Sequence, residues 1–179
     1  MRVNTMKLPR IASTLFLLSV VSASPGIAAD LILHDAPVSV YFSPKGGAQD
    51  ALVDEIGKAR ESIFVQAYSF TSAPITTALV EAYKRGVKVE IILDKGQRSD
   101  PRSGTATVRE AGIPTLIDSK HAIAHNKVMV IDREILVTGS FNFTKSAEEK
   151  NAENLLIVKS RELARLYFER WQEHQAHSE

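Results

Sequence analysis

Cysteine is absent from the 179 residues. Its absence removes disulfide pairing, thiolate nucleophiles and the sulfur ligands on which most structural zinc sites depend. There is no large excess of either charge, with 22 Lys+Arg against 21 Asp+Glu, so global attraction to a polyanion is excluded as an argument. Internal repeats, low-complexity tracts and linker-like stretches are also missing, and one domain is the simplest division. The apolar run from Ile11 to Val21 is shorter than the roughly 20 residues a membrane-spanning helix needs.

That short run has the flanks of an export signal. Arg2, Lys7 and Arg10 precede it, and Ala23, Gly26, Ala28 and Ala29 follow as a small-residue cleavage zone. Residues 1–29 are therefore expected to be a signal peptide and residues 30–179 the catalytic domain, in a bacterial periplasm or the outside medium. Removing residues 1–29 leaves 19 Lys+Arg and 21 Asp+Glu, a formal net charge of −2. Any grip on an anionic substrate must then be local.

Short β-branched and aromatic runs alternate with segments of helical period. Strands are expected at Val38–Phe42, Ile63–Tyr68 and Val87–Leu93, with helices at Ala48–Arg60 and Pro74–Arg85 between them. Thr105–Ala111 reads as a short helix, Pro114–Ile117 as an edge strand, and Lys127–Ile131 with Ile135–Thr138 as two adjacent strands. A strand at Asn154–Lys159 and a helix from Arg161 to about His174 close the chain. The rhythm predicts an α/β fold: a mixed, largely parallel sheet flanked by helices on both faces.

The chemistry concentrates in His125-Asn-Lys127-Val-Met-Val-Ile-Asp132, followed by Gly139-Ser140-Phe-Asn142. On a strand, side chains two residues apart share a face about 7 Å apart, so His125 and Lys127 are placed to grip one phosphate. Ser140 and Asn142 repeat that spacing. Asp132 falls on the opposite parity, which assigns it to bonds outside the site. A phosphodiester repels an anionic attacker, so a neutral imidazole suits the task. Lys127 supplies positive charge, and Asn142 and Ser140 supply donors for the non-bridging oxygens. Glu153 is placed to accept the other ring N–H of a histidine and fix its tautomer.

With every fixed position of His-x-Lys-x4-Asp-x6-Gly-Ser-x-Asn filled, the chain resembles the phospholipase D superfamily. The surrounding Gln66-Ala-Tyr-Ser-Phe-Thr and Asn151-Ala-Glu-Asn are similar to the small EDTA-resistant periplasmic endonucleases within it, across residues 38–175. The resemblance implies a covalent phosphohistidine at His125, phosphate binding by Lys127, Ser140 and Asn142, an orienting role for Glu153, a structural role for Asp132, and no cofactor or metal. It also implies that a second copy of the chain completes the site. Consistent with this, His34, His121, His174 and His177 are not followed by lysine two residues on, so one motif is present. The expected partners are DNA or RNA as substrate and a second copy of the chain in a C2 homodimer.

Plainer readings compete at several positions. His121 and His125 stand four apart like zinc pairs on helices, yet Ala-Ile-Ala between them offers no catalytic glutamate. His174 and His177 read as frayed, solvent-exposed residues. Phe141 and Phe143 suit core or dimer packing. Lys95, Arg98 and Arg102 suit nucleic-acid contacts or a solvated loop equally. Two other functions also stand: a phospholipase D acting on lipid head groups, which would need an exposed apolar approach surface, and an inactive nucleic-acid-binding module, against which the intact motif counts.

Overall fold

The computed structural model describes residues 28–179; the expected export signal lies almost wholly outside them. In order come β1 (Val38–Ser43), α1 (Ala48–Lys58), β2 (Ser62–Ala67), α2 (Ala73–Lys84), β3 (Lys88–Asp94), a 3-10 turn (Lys95–Arg98), α3 (Thr105–Glu110) and β4 (Thr115–Asp118). There follow β5 (Lys127–Ile131), β6 (Ile135–Gly139), α4 (Lys145–Glu149), β7 (Glu153–Lys159) and α5 (Arg161–Gln175). The turn at Lys95–Arg98 and the helix α4 are additions to the sequence reading. Both are a single turn of chain held by a local cap: Asp94 Oδ1 accepts Gly96 N at 2.8 Å, and Thr144 Oγ1 accepts Ala147 N at 3.1 Å. Elements so short carry no usable hydrophobic period.

Seven strands form one sheet in the order β1-β7-β6-β5-β2-β3-β4. The sheet is mixed, as expected, but its parallel share is smaller than expected. Only β2–β3 and β3–β4 run parallel, while β1–β7, β7–β6, β6–β5 and β5–β2 are antiparallel. The physical reason is the connection lengths. Helices cross over between the early strands, whereas Asp132 and Arg133, both at positive φ, turn β5 directly back into β6, which only an antiparallel pair permits.

Helices cover both faces. On one, α1 buries Ala48, Leu52 and Ile56 and α2 buries Ile75, Leu79 and Ala82 against Val65, Met129 and Val137 of the sheet. On the other, α5 places Ala164, Phe168 and Trp171 at helical spacing over Phe64, Val128 and Val130. Ser160 Oγ caps α5 by accepting Leu163 N at 3.3 Å. The Phe64 ring centroid stands 4.5 Å from that of Phe168 and 5.0 Å from that of Trp171. Trp171 Nε1 donates to Val65 O at 2.9 Å, so burying its indole leaves no orphan donor. Phe141 and Phe143 are fully buried and belong to the core. Val38, Val40 and Phe42 of the edge strand β1 remain exposed.

These pairings bring the last residues of β2, β3 and β6 and the first residues of β5 and β7 to one rim of the sheet. Ala67 faces Lys127, Gly139 faces Leu155, and Ser43 faces Glu153. That rim carries the site.

Candidate active site

His125 sits two residues ahead of β5 on a segment tied down at several points. Tyr68 N donates to Asn126 O at 2.9 Å. Ala124 N donates to Oδ2 of the buried Asp94 at 2.8 Å, anchoring the approach to the end of β3. The ring of His125 is exposed and lies 4.4 Å, centroid to centroid, from that of Tyr68. Lys127 is the first residue of β5 and is buried, at 7 % exposure. Its Nζ donates to His125 O at 2.8 Å and stands 4.9 Å from the Tyr68 ring centroid. Tyr68 thus lies against both motif residues. Its approach depends on the β2–β5 register, which leaves no local signal in the sequence.

Burial lowers the Lys127 pKa from the usual lysine range, and the nearby Glu153 carboxylate opposes the shift. Glu153 begins β7 and accepts Asn151 Nδ2 at 3.1 Å. Its charge reaches the ammonium, and Glu153 accepts no hydrogen bond from His125 of its own chain. Ser140 is exposed, and its Oγ accepts Asn154 N at 3.0 Å, so its own proton is still free for a ligand. Asn142 Oδ1 is buried with no hydrogen-bond partner, so the fold leaves the acceptor end of that amide unused.

Gly139 makes this turn possible. Its φ is 147°, and a Cβ there would lie 2.2 Å from Asn154 O. Ser140 N and Phe141 N both donate to the same carbonyl, at 3.0 and 3.1 Å, so the backbone must approach closely.

Asp132 lies at the far end of β5. Its carboxylate accepts Arg60 N at 3.0 Å, Glu61 N at 2.8 Å and Ser62 N at 2.9 Å, and so holds the entry to β2. The loop cations are mostly engaged. Arg98 Nη2 meets Glu179 Oε1 at 2.7 Å, Arg102 Nε meets Asp100 Oδ1 at 3.1 Å, and Lys95 Nζ donates to His121 O at 3.3 Å.

The reading of His174 and His177 as frayed is corrected by the structure. His174 is 5 % exposed, with Nδ1 2.8 Å from Asp118 Oδ2. His177 Nε2 lies 3.4 Å from the same oxygen and His121 Nδ1 3.0 Å from it. A partner 56 residues away in sequence leaves no trace in local spacing. Burial holds the His174 pKa below the usual histidine range despite Asp118. Burial would raise the Asp118 pKa, but hydrogen bonds from His174, His121 and His177 outweigh it and hold the carboxyl well below the usual carboxylate range.

The assembled rim joins an exposed imidazole, a buried ammonium with a carboxylate beside it, and free amide and hydroxyl groups. Such a set can attack and hold a phosphoryl centre. Residues 52–174 match the family model described as cardiolipin synthase, PLD-like domain. The chain is 46% identical over 134 residues to a protein named phospholipase D from Rickettsia felis, spanning 75% of this chain and 67% of that one. Among solved structures it is similar to Nuc from Salmonella typhimurium, a phospholipase D family member, with TM-score 0.77, 38% identity, and coverage of 81% of this chain and 97% of that one. It is also similar to NucT from Helicobacter pylori, with TM-score 0.74, 26% identity, and coverage of 80% and 98%. With its motif intact on this sheet rim, the chain belongs to the phospholipase D superfamily and is a phosphodiesterase of that kind.

Proposed function

We propose that this phosphodiesterase is a nonspecific endonuclease, exported to the periplasm or outside medium, that cuts DNA or RNA without a metal as a C2 homodimer. The observation that carries the reading is the juxtaposition of the exposed His125 ring with the buried Lys127 ammonium, both against Tyr68. A neutral His125 nitrogen attacks phosphorus, forming the N–P bond, while the P–O bond to one nucleoside oxygen breaks. The electron pair leaves on that oxygen, which takes a proton from the other subunit's imidazole. Water, deprotonated by that same imidazole, then attacks the phosphohistidine and restores His125. Lys127, Ser140 and Asn142 hold the non-bridging oxygens throughout.

The dimer is supported by arithmetic: one chain carries one His-x-Lys motif, and the two steps need both a nucleophile and an acid–base. Glu153, without a bond to its own chain's His125, is assigned to orienting a histidine across the pair. One imidazole must act as acid while the other acts as nucleophile, which gives a bell-shaped pH profile.

A second reading, hydrolysis of phospholipid head groups by the same chemistry, is favoured by the name of the Rickettsia felis relative. One assay separates the two. Purified protein is incubated with plasmid DNA and with phosphatidylcholine vesicles, each in excess EDTA. Plasmid cleavage that survives chelation and weakens with salt is expected, and His125→Ala abolishes it. Lipid turnover without DNA cleavage favours the second reading, and retained turnover in His125→Ala removes the nucleophile assignment from both.

A further inference from the structure

At the outer end of the same rim, the edge strand β4 ends in a side-chain cluster that the proposed chemistry does not use. Asp118 is wholly buried, and the exposure of the surrounding side chains rises from 7% at His174 to 21% at His177 and 38% at His121. One potential ligand atom from each of the four residues lies within 4.8 Å of all the others. The three ring centroids form a near-equilateral triangle with sides of 4.9, 5.2 and 5.3 Å.

The crowding at one atom indicates what the cluster accommodates. Three imidazole nitrogens converge on Asp118 Oδ2, at 2.8, 3.0 and 3.4 Å, whereas a carboxylate oxygen offers two in-plane lone pairs. His121 Nδ1 can turn to Oδ1, 3.1 Å away, yet hydrogen bonds then serve the rings unevenly, with His177 left at 3.4 Å. A cation at the centre serves all of them together, because each nitrogen and the oxygen then directs a lone pair inward. Bonds of about 2.0–2.1 Å in a tetrahedron place ligand atoms roughly 3.3 Å apart, close to the observed oxygen–nitrogen separations. The other oxygen, Oδ1, accepts Lys120 N at 3.1 Å, which orients the carboxylate as an outer hydrogen bond does around a ligand. The more exposed His121 and His177 leave a way in from solvent.

We propose that Asp118, His121, His174 and His177 form a closed, four-coordinate site for a divalent transition metal of the zinc class. Three imidazoles and one carboxylate select such an ion over magnesium or calcium, which prefer all-oxygen shells. With four protein ligands the site is structural. It clamps the end of α5 to the end of β4, beside the backbone pair in which Ile117 and Glu179 exchange hydrogen bonds at 2.7 and 3.1 Å. Residues 122–124 lead from the ligand His121 straight into His125, so the ion steadies the loop that presents the nucleophile without joining its chemistry. The proposal does not depend on which phosphodiester is cleaved.

The test uses protein stripped with EDTA, desalted, supplied with zinc and dialysed against zinc-free buffer. One zinc per chain by elemental analysis is expected, with a melting temperature several degrees above that of the stripped protein. Cobalt in its place should give the intense visible absorption of four-coordinate Co2+, a measurement on the unaltered chain that stands even if variants misfold. His121→Ala and His177→Ala should each weaken zinc binding by at least about tenfold. His125→Ala should retain the full complement while losing turnover, so a failure of this site and a failure of the catalytic reading are distinguishable. Substoichiometric zinc after dialysis, a weak six-coordinate cobalt spectrum, or variants that bind as tightly as the parent would each overturn the proposal.

Discussion

Replacing Asp132 with asparagine separates the third residue of the motif from the first two. The carboxylate accepts three backbone N–H groups, from Arg60, Glu61 and Ser62, at 2.8–3.0 Å. Hydrogen bonds to a charged group contribute about 1.5–3 kcal/mol each when shielded, and those from Arg60 and Glu61 are exposed, which discounts them. Asparagine keeps one acceptor oxygen and tolerates the positive φ of 51° at this position. The expected loss is therefore about 2 kcal/mol, or roughly 4–8 °C in melting temperature for a domain of this size. Alanine, which keeps neither the acceptor nor the tolerance, should lose more. Five residues of β5 separate Asp132 from the other end of the strand, a span of about 17 Å at strand rise. Turnover per folded molecule should consequently be unchanged. Thermal melts followed by circular dichroism give the stability, and cleavage assays well below the melting temperature give the turnover. Undiminished stability with a collapse of kcat would refute the reasoning and place Asp132 in the chemistry.

Other outcomes follow from the same structure. Lys127→Gln removes the ammonium next to His125 and should lower kcat/KM by about 10²–10³, with little loss of stability because a buried charge is removed; steady-state cleavage kinetics and melts check both halves. Gly139→Ala forces a Cβ to within 2.2 Å of Asn154 O and should cost several kcal/mol or shift the turn, seen as a lower urea midpoint together with lost activity. His174 has a folded pKa below its ordinary value, so between the two the unfolded chain holds a proton that the folded chain does not. Stability in EDTA should then fall as the pH drops through that interval, by at most about 1.4 kcal/mol per pH unit. Asp118, His121 and Arg170 face this ring, and His174→Gln should flatten the slope; an unchanged slope would assign it elsewhere.

The parts of this molecule legible in its sequence are those fixed over short distances. Strand parity placed His125 and Lys127 together and sent Asp132 elsewhere, and β5 begins and ends where alternation and the following turn require. Helix α5 announces itself through Ala164, Phe168 and Trp171 at helical spacing. What could not be read depends on pairings between distant segments. Tyr68 reaches the site only because β2 lies antiparallel to β5, and Asp94 anchors Ala124 across 30 residues. Likewise, nothing near His174 indicates Asp118. The balance of parallel and antiparallel pairs was missed for a related reason: alternating strands and helices fix the layers, while strand order is decided by which loops are tight enough to reverse the chain.

The place of β5 between β2 and β6 has a consequence for how such an enzyme diversifies. An interior strand bonded along both sides cannot slide or drift without breaking two ladders, so the scaffold locks the ammonium in place, and the bond from Tyr68 N to Asn126 O carries that hold to the residue beside the imidazole. The surrounding loops are under no such restraint. Lengthening or recolouring them can redirect the catalyst toward new phosphodiesters while its reactive pair stays put.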